Sequence, residues 1–227
     1  MPAWGVHLVT TKEILDRVDI KEKNDFIFGN ILPDIENGYL VKGISHTLTH
    51  KESHFDQFPL TKYDSQDVFL RSYGNKLDNK VILGYVVHLL TDNLWNKNYY
   101  ERKVIYENGE IAGVKLTNGQ ILKGDYDVVR ILKQKDYKIY ADSLFRTSEF
   151  VEPVFDKELV NKSNEIEIIN INEDDIKKSI QYIQDEKEKS ISSNIDEVYQ
   201  SFNKAEIKQF MSDIIDEIVE YMNKNLL

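Results

Sequence analysis

Cysteine is absent from the 227 residues, which excludes disulfides and thiolate metal ligands together. Long apolar runs are missing as well. No stretch reaches the roughly 18 unbroken apolar residues that a membrane span requires. Basic charge is in deficit, with 29 Lys and Arg against 39 Asp and Glu and a formal net charge of −10. A general nucleic-acid binder needs a basic face, so long nucleic acid is not an expected partner. The same deficit gives no electrostatic pull towards anionic membranes. The opening MPAWGVHLVTTKEIL has neither the basic start nor the apolar run of a signal peptide. The expectation is a soluble, cytoplasmic protein with no stable membrane anchor. Histidine is scarce too: there are five, at positions 7, 46, 50, 54 and 88, and none follows His88. Imidazole chemistry, if the chain performs any, belongs to its first part. No His-Asp dipeptide occurs, which argues against a metal-dependent phosphohydrolase built on that motif.

Against these absences stands Val81 to Trp95, VILGYVVHLLTDNLW. From Val81 to Leu90 it is apolar except at Gly84 and His88, too uniform for a helix lying on a surface. His88 and Asp92 are four apart, so in a helix they leave one face a turn apart. An unpaired buried polar group costs roughly 2–7 kcal/mol. The pair must therefore bond to neighbours or hold a metal.

The remaining pattern is mostly helical. Thr10 three residues before Glu13 reads as a capping box, with a helix to about Val18. A second helix should start near Asn24 or Asp25 and end at Leu32, because Pro33 disfavours helix at the residue before it. Asp34 then sits on a bend, where aspartate is a common turn former. His46, His50 and His54 fall at intervals of four, a spacing that shares a face in helix and strand alike. Ser65 can cap a helix through Tyr73, and Asn79 can start the central one. Asn108-Gly109 and Asn118-Gly119 separate three β-prone pieces, which predicts a small inserted meander at about 102–124. Helix should resume from Asp125 to about Phe150, with a break near Lys133 to Lys135. Residues 151–171 should be irregular or briefly extended. A charged helix from Asn172 to about Glu188 reads as a solvated face. Asn203 and Glu206 then open a strongly amphipathic helix. Its apolar stripe could pack internally or join two copies into a homo-oligomer through residues 203–226. The expected fold class is all-α: one multi-helix domain over 1–227 carrying the β insert and a C-terminal helical extension at about 172–227.

His7, Asp34, His54, His88 and Asp92 are nitrogen and oxygen ligands of the type zinc accepts. The motifs WGVH, FGNILPDI, the His-Phe of KESHF and GYVVHLLTDNLW follow one another in that order. Over roughly residues 4–100 this order resembles the bacterial zinc-dependent phospholipase C family, whose helical fold is shared with P1-type nucleases. The resemblance implies an all-α phospholipase C/P1 nuclease-like domain in which Asp34, His54, His88 and Asp92 surround one zinc. Asp92 would bridge to a second zinc also held by His7. Two such ions could share a carboxylate, activate water and polarise a phosphoryl oxygen. Asp34 is the candidate to orient or deprotonate the attacking water. Two departures stand out. Trp4 stands behind Met1-Pro2-Ala3, which puts the terminal-amine ligand of the secreted enzymes in doubt here. The absence of histidine after His88 leaves no third zinc site of the family's kind, and one or two Zn2+ ions is the most the chain supports. His46 and His50 are expected beside the centre or on the surface.

The implied function is a zinc-dependent phosphodiester hydrolase acting on a phosphoester small molecule or a phospholipid headgroup. Two alternatives remain open: a phosphatase or nuclease with the same centre, and a non-enzymatic helical binding module retaining a structural metal.

Overall fold

A computed structural model describes residues 3–56, 63–147, 149–192 and 198–227. The chain begins with helices α1 (Trp4–Arg17), α2 (Lys23–Gly29), α3 (Leu32–Ile35), α4 (His50–Ser53) and α5 (Ser65–Tyr73), followed by a 3-10 turn at Gly74–Lys76 and the central helix α6 (Lys80–Lys103). Strands β1 (Val104–Glu107), β2 (Glu110–Lys115) and β3 (Ile121–Lys123) come next. The chain ends with α7 (Tyr126–Thr147), α8 (Glu158–Ser163), α9 (Glu173–Ser192) and α10 (Lys204–Asn225). The protein is mostly helical with one small antiparallel sheet. No helix of the described residues is long and apolar enough to cross a membrane.

The central helix starts where its sequence says it should. The Asn79 side chain accepts from the Val81 N–H at 3.0 Å, satisfying one of the free donors of the first turn. Every residue from Val81 to Asn93 is buried, because other helices enclose α6 on several sides. Its contact with α2 is close enough to require glycine. A Cβ on Gly84 would lie 2.3 Å from the Phe26 carbonyl oxygen, and one on Gly29 would lie 2.1 Å from that of Val81. Backbone meets backbone there, which is how Asn30, just past α2, comes to touch His88.

Several local expectations need correction. The first helix begins at Trp4 and not at Thr10, with Ala3 at its N-cap. Thr10 is consequently a buried mid-helix residue, and its neighbours' N–H groups already bond within the helix. The capping-box spacing existed without the free donors that give it meaning. The second helix ends at Gly29, short of Leu32, and a separate helix begins at Leu32 with Pro33 in its first turn, where the missing N–H costs nothing. Asp34 belongs to that turn and is buried. The break anticipated at Lys133 to Lys135 is absent, since α7 runs unbroken from Tyr126 to Thr147. What interrupted the apolar periodicity are two buried charged residues, Lys133 and Asp136. The helix from Glu173 is amphipathic rather than merely solvated. Its Ile176 and Ile183 are in the core, and buried Asp175 accepts from both the backbone and the hydroxyl of Ser45.

The β meander pairs in the order β1-β2-β3, with Val104 opposite Val114 and Val114 opposite Leu122. Asn108 and Gly109 both have positive φ, 53° and 85°, the pattern of the two-residue turn their sequence predicts. Helix α10 carries the expected capping box between Asn203 and Glu206. Its apolar stripe, including Ile207, Phe210, Ile214 and Ile218, faces inward and packs on α1 and α6. The stripe is therefore used within the chain.

Candidate metal centre

All five residues singled out by sequence meet in one buried cluster. His7 comes from α1, Asp34 from α3, His54 from the end of α4, and His88 and Asp92 from adjacent turns of α6. His88 Nε2 and Asp92 Oδ2 are 3.5 Å apart. His54 Nε2 lies 3.2 Å from His88 Nε2, 3.5 Å from Asp92 Oδ2 and 3.4 Å from Asp34 Oδ1. His7 Nε2 lies 3.4 Å from the other Asp92 oxygen, Oδ1, and its ring stacks on that of His88 with centroids 4.0 Å apart. Two overlapping groups thus have ligand atoms within 4.8 Å of one another: His7, His88 and Asp92, and Asp34, His54 and His88. Buried His and Asp groups of this kind could hold a metal ion.

Local structure explains the aim of each side chain. His54 is followed by Phe55, whose φ of 53° is left-handed. That conformation costs a non-glycine residue roughly 1–2 kcal/mol. The cost is offset because the Phe55 ring inserts edge-on against Phe69, 5.0 Å away, and Tyr85, 6.2 Å away. The sharp turn after His54 is thereby pinned, and Tyr85 adds a hydrogen bond from its hydroxyl to the Ser53 carbonyl. The other ring nitrogens of two histidines are held by neighbours. Asn30 O faces His88 Nδ1 at 2.8 Å, and Ser53 Oγ faces His54 Nδ1 at 2.9 Å. Since a carbonyl can only accept, His88 Nδ1 carries hydrogen. In the neutral ring, Nε2 then presents a lone pair to the cluster. Asp34 is held by the Trp4 indole N–H at 3.0 Å and the Asn37 amide at 2.9 Å.

Buried charge and incomplete hydrogen bonding coexist in the cluster. Both Asp92 oxygens are buried without a hydrogen bond, as are both ring nitrogens of His7. Burial alone would raise the Asp92 pKa, but the nearby imidazoles of His88 and His7 outweigh it and hold the carboxyl well below its usual range. Asp34 behaves alike: burial raises it, while His54 and His88 bring it down to about 2. His7 is pushed below its ordinary value by burial and then by His88, and His54 by burial. His88 moves upward although burial opposes it, because Asp92 and Asp34 favour its charged form. Two neutral imidazoles and two ionised carboxylates around buried space are a donor set a divalent cation would complete.

His46 and His50 stay outside the cluster. His46 Nδ1 lies 2.9 Å from buried Glu36, whose same oxygen also accepts from the Asn170 N–H. His50 stacks on the outer face of His54 at 3.9 Å and lies 3.1 Å from Asp56. Equal sequence spacing of the three histidines carried no information about their roles, because the segment before Thr49 is neither helix nor strand.

The cluster opens into a cavity of about 1150 Å³. It is lined by Asp34, His54 and Asp92 of the cluster and, as a second wall, by residues of β2, α7 and the end of α6, including Tyr100, Glu110, Arg130 and Lys133. Sequence reasoning missed this second wall. The available signal was a lysine at a helix position whose neighbours three and four residues away, Val129, Asp136 and Tyr137, are all buried. In comparisons with protein-family models, with curated proteins and with solved structures, no match to this chain was found.

Proposed function

We propose that the chain is a zinc-dependent phosphodiester hydrolase of phospholipase C type, with its metal held by His7, Asp34, His54, His88 and Asp92. The observation that carries this reading is Asp92. Its two buried oxygens have no donor, and they face different partners, Oδ1 towards His7 and Oδ2 towards His54 and His88. A carboxylate so placed could serve two ions at once, the arrangement that the resemblance to the zinc-dependent phospholipase C family implies. The donor set of imidazole and carboxylate suits zinc. His88 has the backbone-carbonyl partner typical of a ligating imidazole, and Asp34 its indole and amide donors. When bound, zinc would supply a Lewis acid that polarises a phosphoryl oxygen and acidifies water.

The chain's own residues would do the rest. Asp34 borders the cavity and is ionised at neutral pH. A carboxyl held near 2 accepts a proton poorly, since a general base works best near the operating pH. Its favoured role is to orient water through hydrogen bonding. His54, backed by Ser53 and the His50 ring, fixes one edge of the opening.

Elemental analysis of the purified protein tests the reading directly. One or two equivalents of zinc are expected, lost in His88→Ala, with turnover of a chromogenic phosphodiester by the wild type. Absence of bound zinc after incubation with excess metal would leave a hydrogen-bonded polar cluster instead.

A further inference from the structure

The second wall of the cavity contains a lysine in an unusual position. Lys133 is 95 % buried (5 % relative exposure) on α7, yet lines the opening. Its Nζ donates to Asn96 Oδ1 at 2.6 Å and stands 5.1 Å above the Tyr100 ring. An ammonium has three donors, and no carboxylate of the described residues pairs with this one. Two other charges around the opening are already engaged. Arg130 bonds Asp127 and Gln134, and Asp56 lies beside His50. Glu110 stands at the rim on β2. Burial pushes the Lys133 pKa down to about 8, partly countered by Asp92. The structure keeps this cation desolvated and under-bonded, facing the same space as the candidate metal centre.

The neighbouring tyrosines might suggest a cage for a cationic headgroup. Lys133 argues against it. The Tyr100 face is taken by the chain's own ammonium, and a second cation entering beside it would meet the positive charge of both Lys133 and Arg130, although Tyr63, Tyr106, Tyr126 and Glu110 also line the opening.

We propose that Lys133 is the substrate-positioning anion site of the cavity, binding a phosphoryl oxygen and selecting anionic phosphoesters over those with a cationic headgroup. The substrate-class half of this inference rests on the phosphodiesterase reading, whereas the anion site stands on the cavity alone. Asn96 aims the ammonium, and Lys133 acts on binding rather than on the metal.

Three measurements test it on zinc-incubated protein: calorimetric binding of inorganic phosphate, zinc content, and kcat/KM for two chromogenic esters. The esters are bis(4-nitrophenyl) phosphate, an anion, and 4-nitrophenylphosphorylcholine, a zwitterion. The wild type should bind phosphate and prefer the anionic ester. Lys133→Met should weaken phosphate at least tenfold and lower the ester preference at least tenfold through KM, with zinc content unchanged; Lys133→Arg should restore part of both. A folded Lys133→Met protein that binds phosphate within twofold of wild type overturns the proposal, and continued ester turnover in it leaves the hydrolase reading intact. Conversely, a wild type that cleaves neither ester yet loses phosphate affinity in Lys133→Met sinks the hydrolase reading and supports the anion site. Should Lys133→Met fail to fold, reductive methylation of the wild type read by mass spectrometry decides. Protection of Lys133 by phosphate supports the site, and equal labelling at saturating phosphate overturns it.

Discussion

Asp92 and Asp136 are both buried aspartates on long helices, and their surroundings are opposite. Asp136 accepts from the backbone N–H groups of Gln200, Ser201 and Phe202 at 2.7, 2.7 and 3.2 Å, and from the Ser201 hydroxyl. It ties the segment entering α10 to α7. Among the described residues no donor bonds Asp92, which faces three imidazoles at 3.4–3.5 Å. Folding supplies one carboxylate with a full set of donors and the other, among the described residues, with none. A buried charge with complete donors is architecture; one without them is a candidate site.

Removing each carboxylate should separate the two roles. Asp136→Ala leaves several buried donors unpaired and should cost about 3–5 kcal/mol of stability with zinc uptake retained. Asp92→Asn should abolish zinc binding yet cost the metal-free protein less than Asp136→Ala, because it removes the carboxylate's attraction for His88 and His7 but leaves no backbone donor unpaired. Denaturant unfolding with and without zinc checks both. Equal destabilisation by the two substitutions, with zinc uptake intact in each, would erase the distinction.

The comparison extends to Lys133, a buried cation with one hydrogen bond, to Asn96. Its folded pKa of about 8 lies below the ordinary 10.5. Between those values the unfolded chain holds a proton that the folded chain has released, so Lys133 by itself makes the metal-free protein more stable as pH rises across that window, while buried tyrosines whose pKa values burial raises act in the opposite sense at its upper end. Facing it are Asp92, which favours the charged form, Arg130, which disfavours it, and neutral Asn96 and Tyr100. A shift of about 2.5 units corresponds to roughly 3 kcal/mol at most. The contribution is complete above pH 10.5, is lost as pH falls through 8, and should be absent from Lys133→Met. A wild-type stability that is flat or falling from pH 8 to 10.5, tracked identically by the variant, would mean the ammonium is already well solvated.

Metal addition gives the next effect in size. Zinc at a hundredfold over its dissociation constant should stabilise the wild type by about 2.7 kcal/mol. The gain should weaken below neutral pH as protons compete for the imidazoles. His88 is the first competitor, since Asp92 and Asp34 favour its protonated form. Thermal unfolding from pH 5 to 8 with and without zinc measures this. A zinc-induced shift independent of pH would exclude imidazole ligation.

How far these features could be read from sequence follows from the range of the contacts involved. His88 and Asp92 were legible because both lie on one helix, where a four-residue interval fixes direction. The Asn79 cap, the Asn108-Gly109 turn and the Asn203–Glu206 box are equally local, and the structure contains all three. Thr10 misled because a cap motif states only that oxygen is available, and the donors it would serve were already paired within a helix starting at Trp4. His54 could not be chosen over His46 and His50 by interval. What selects it is Phe55 locking into rings supplied by α5 and α6. The Asn30 carbonyl behind His88 reaches across 58 residues and depends on glycine at 84 and 29. Lys133 meets Asn96 across 37. Such pairs carry no periodic signal, so the cavity's second wall could be seen only once the chain was folded.

Trp4 provides the smallest and most discriminating test. Its indole donates to Asp34 Oδ2, while the Asn37 amide takes Oδ1. The tryptophan therefore acts one step behind the centre through its side chain. Trp4→Phe preserves most of the buried ring, which packs edge-on against Tyr182 at 5.2 Å, and deletes the N–H. The loss of one charge-assisted hydrogen bond should cost about 1.5–3 kcal/mol if Asp34 stays dry, and less where water enters from the cavity. Outer partners of metal ligands typically alter affinity 10–100-fold; with Asn37 still in place, about tenfold weaker zinc binding is expected. An unchanged zinc affinity in Trp4→Phe, combined with full loss in Asp92→Asn, would move Asp34 out of the ligand set and leave it as a group that orients water.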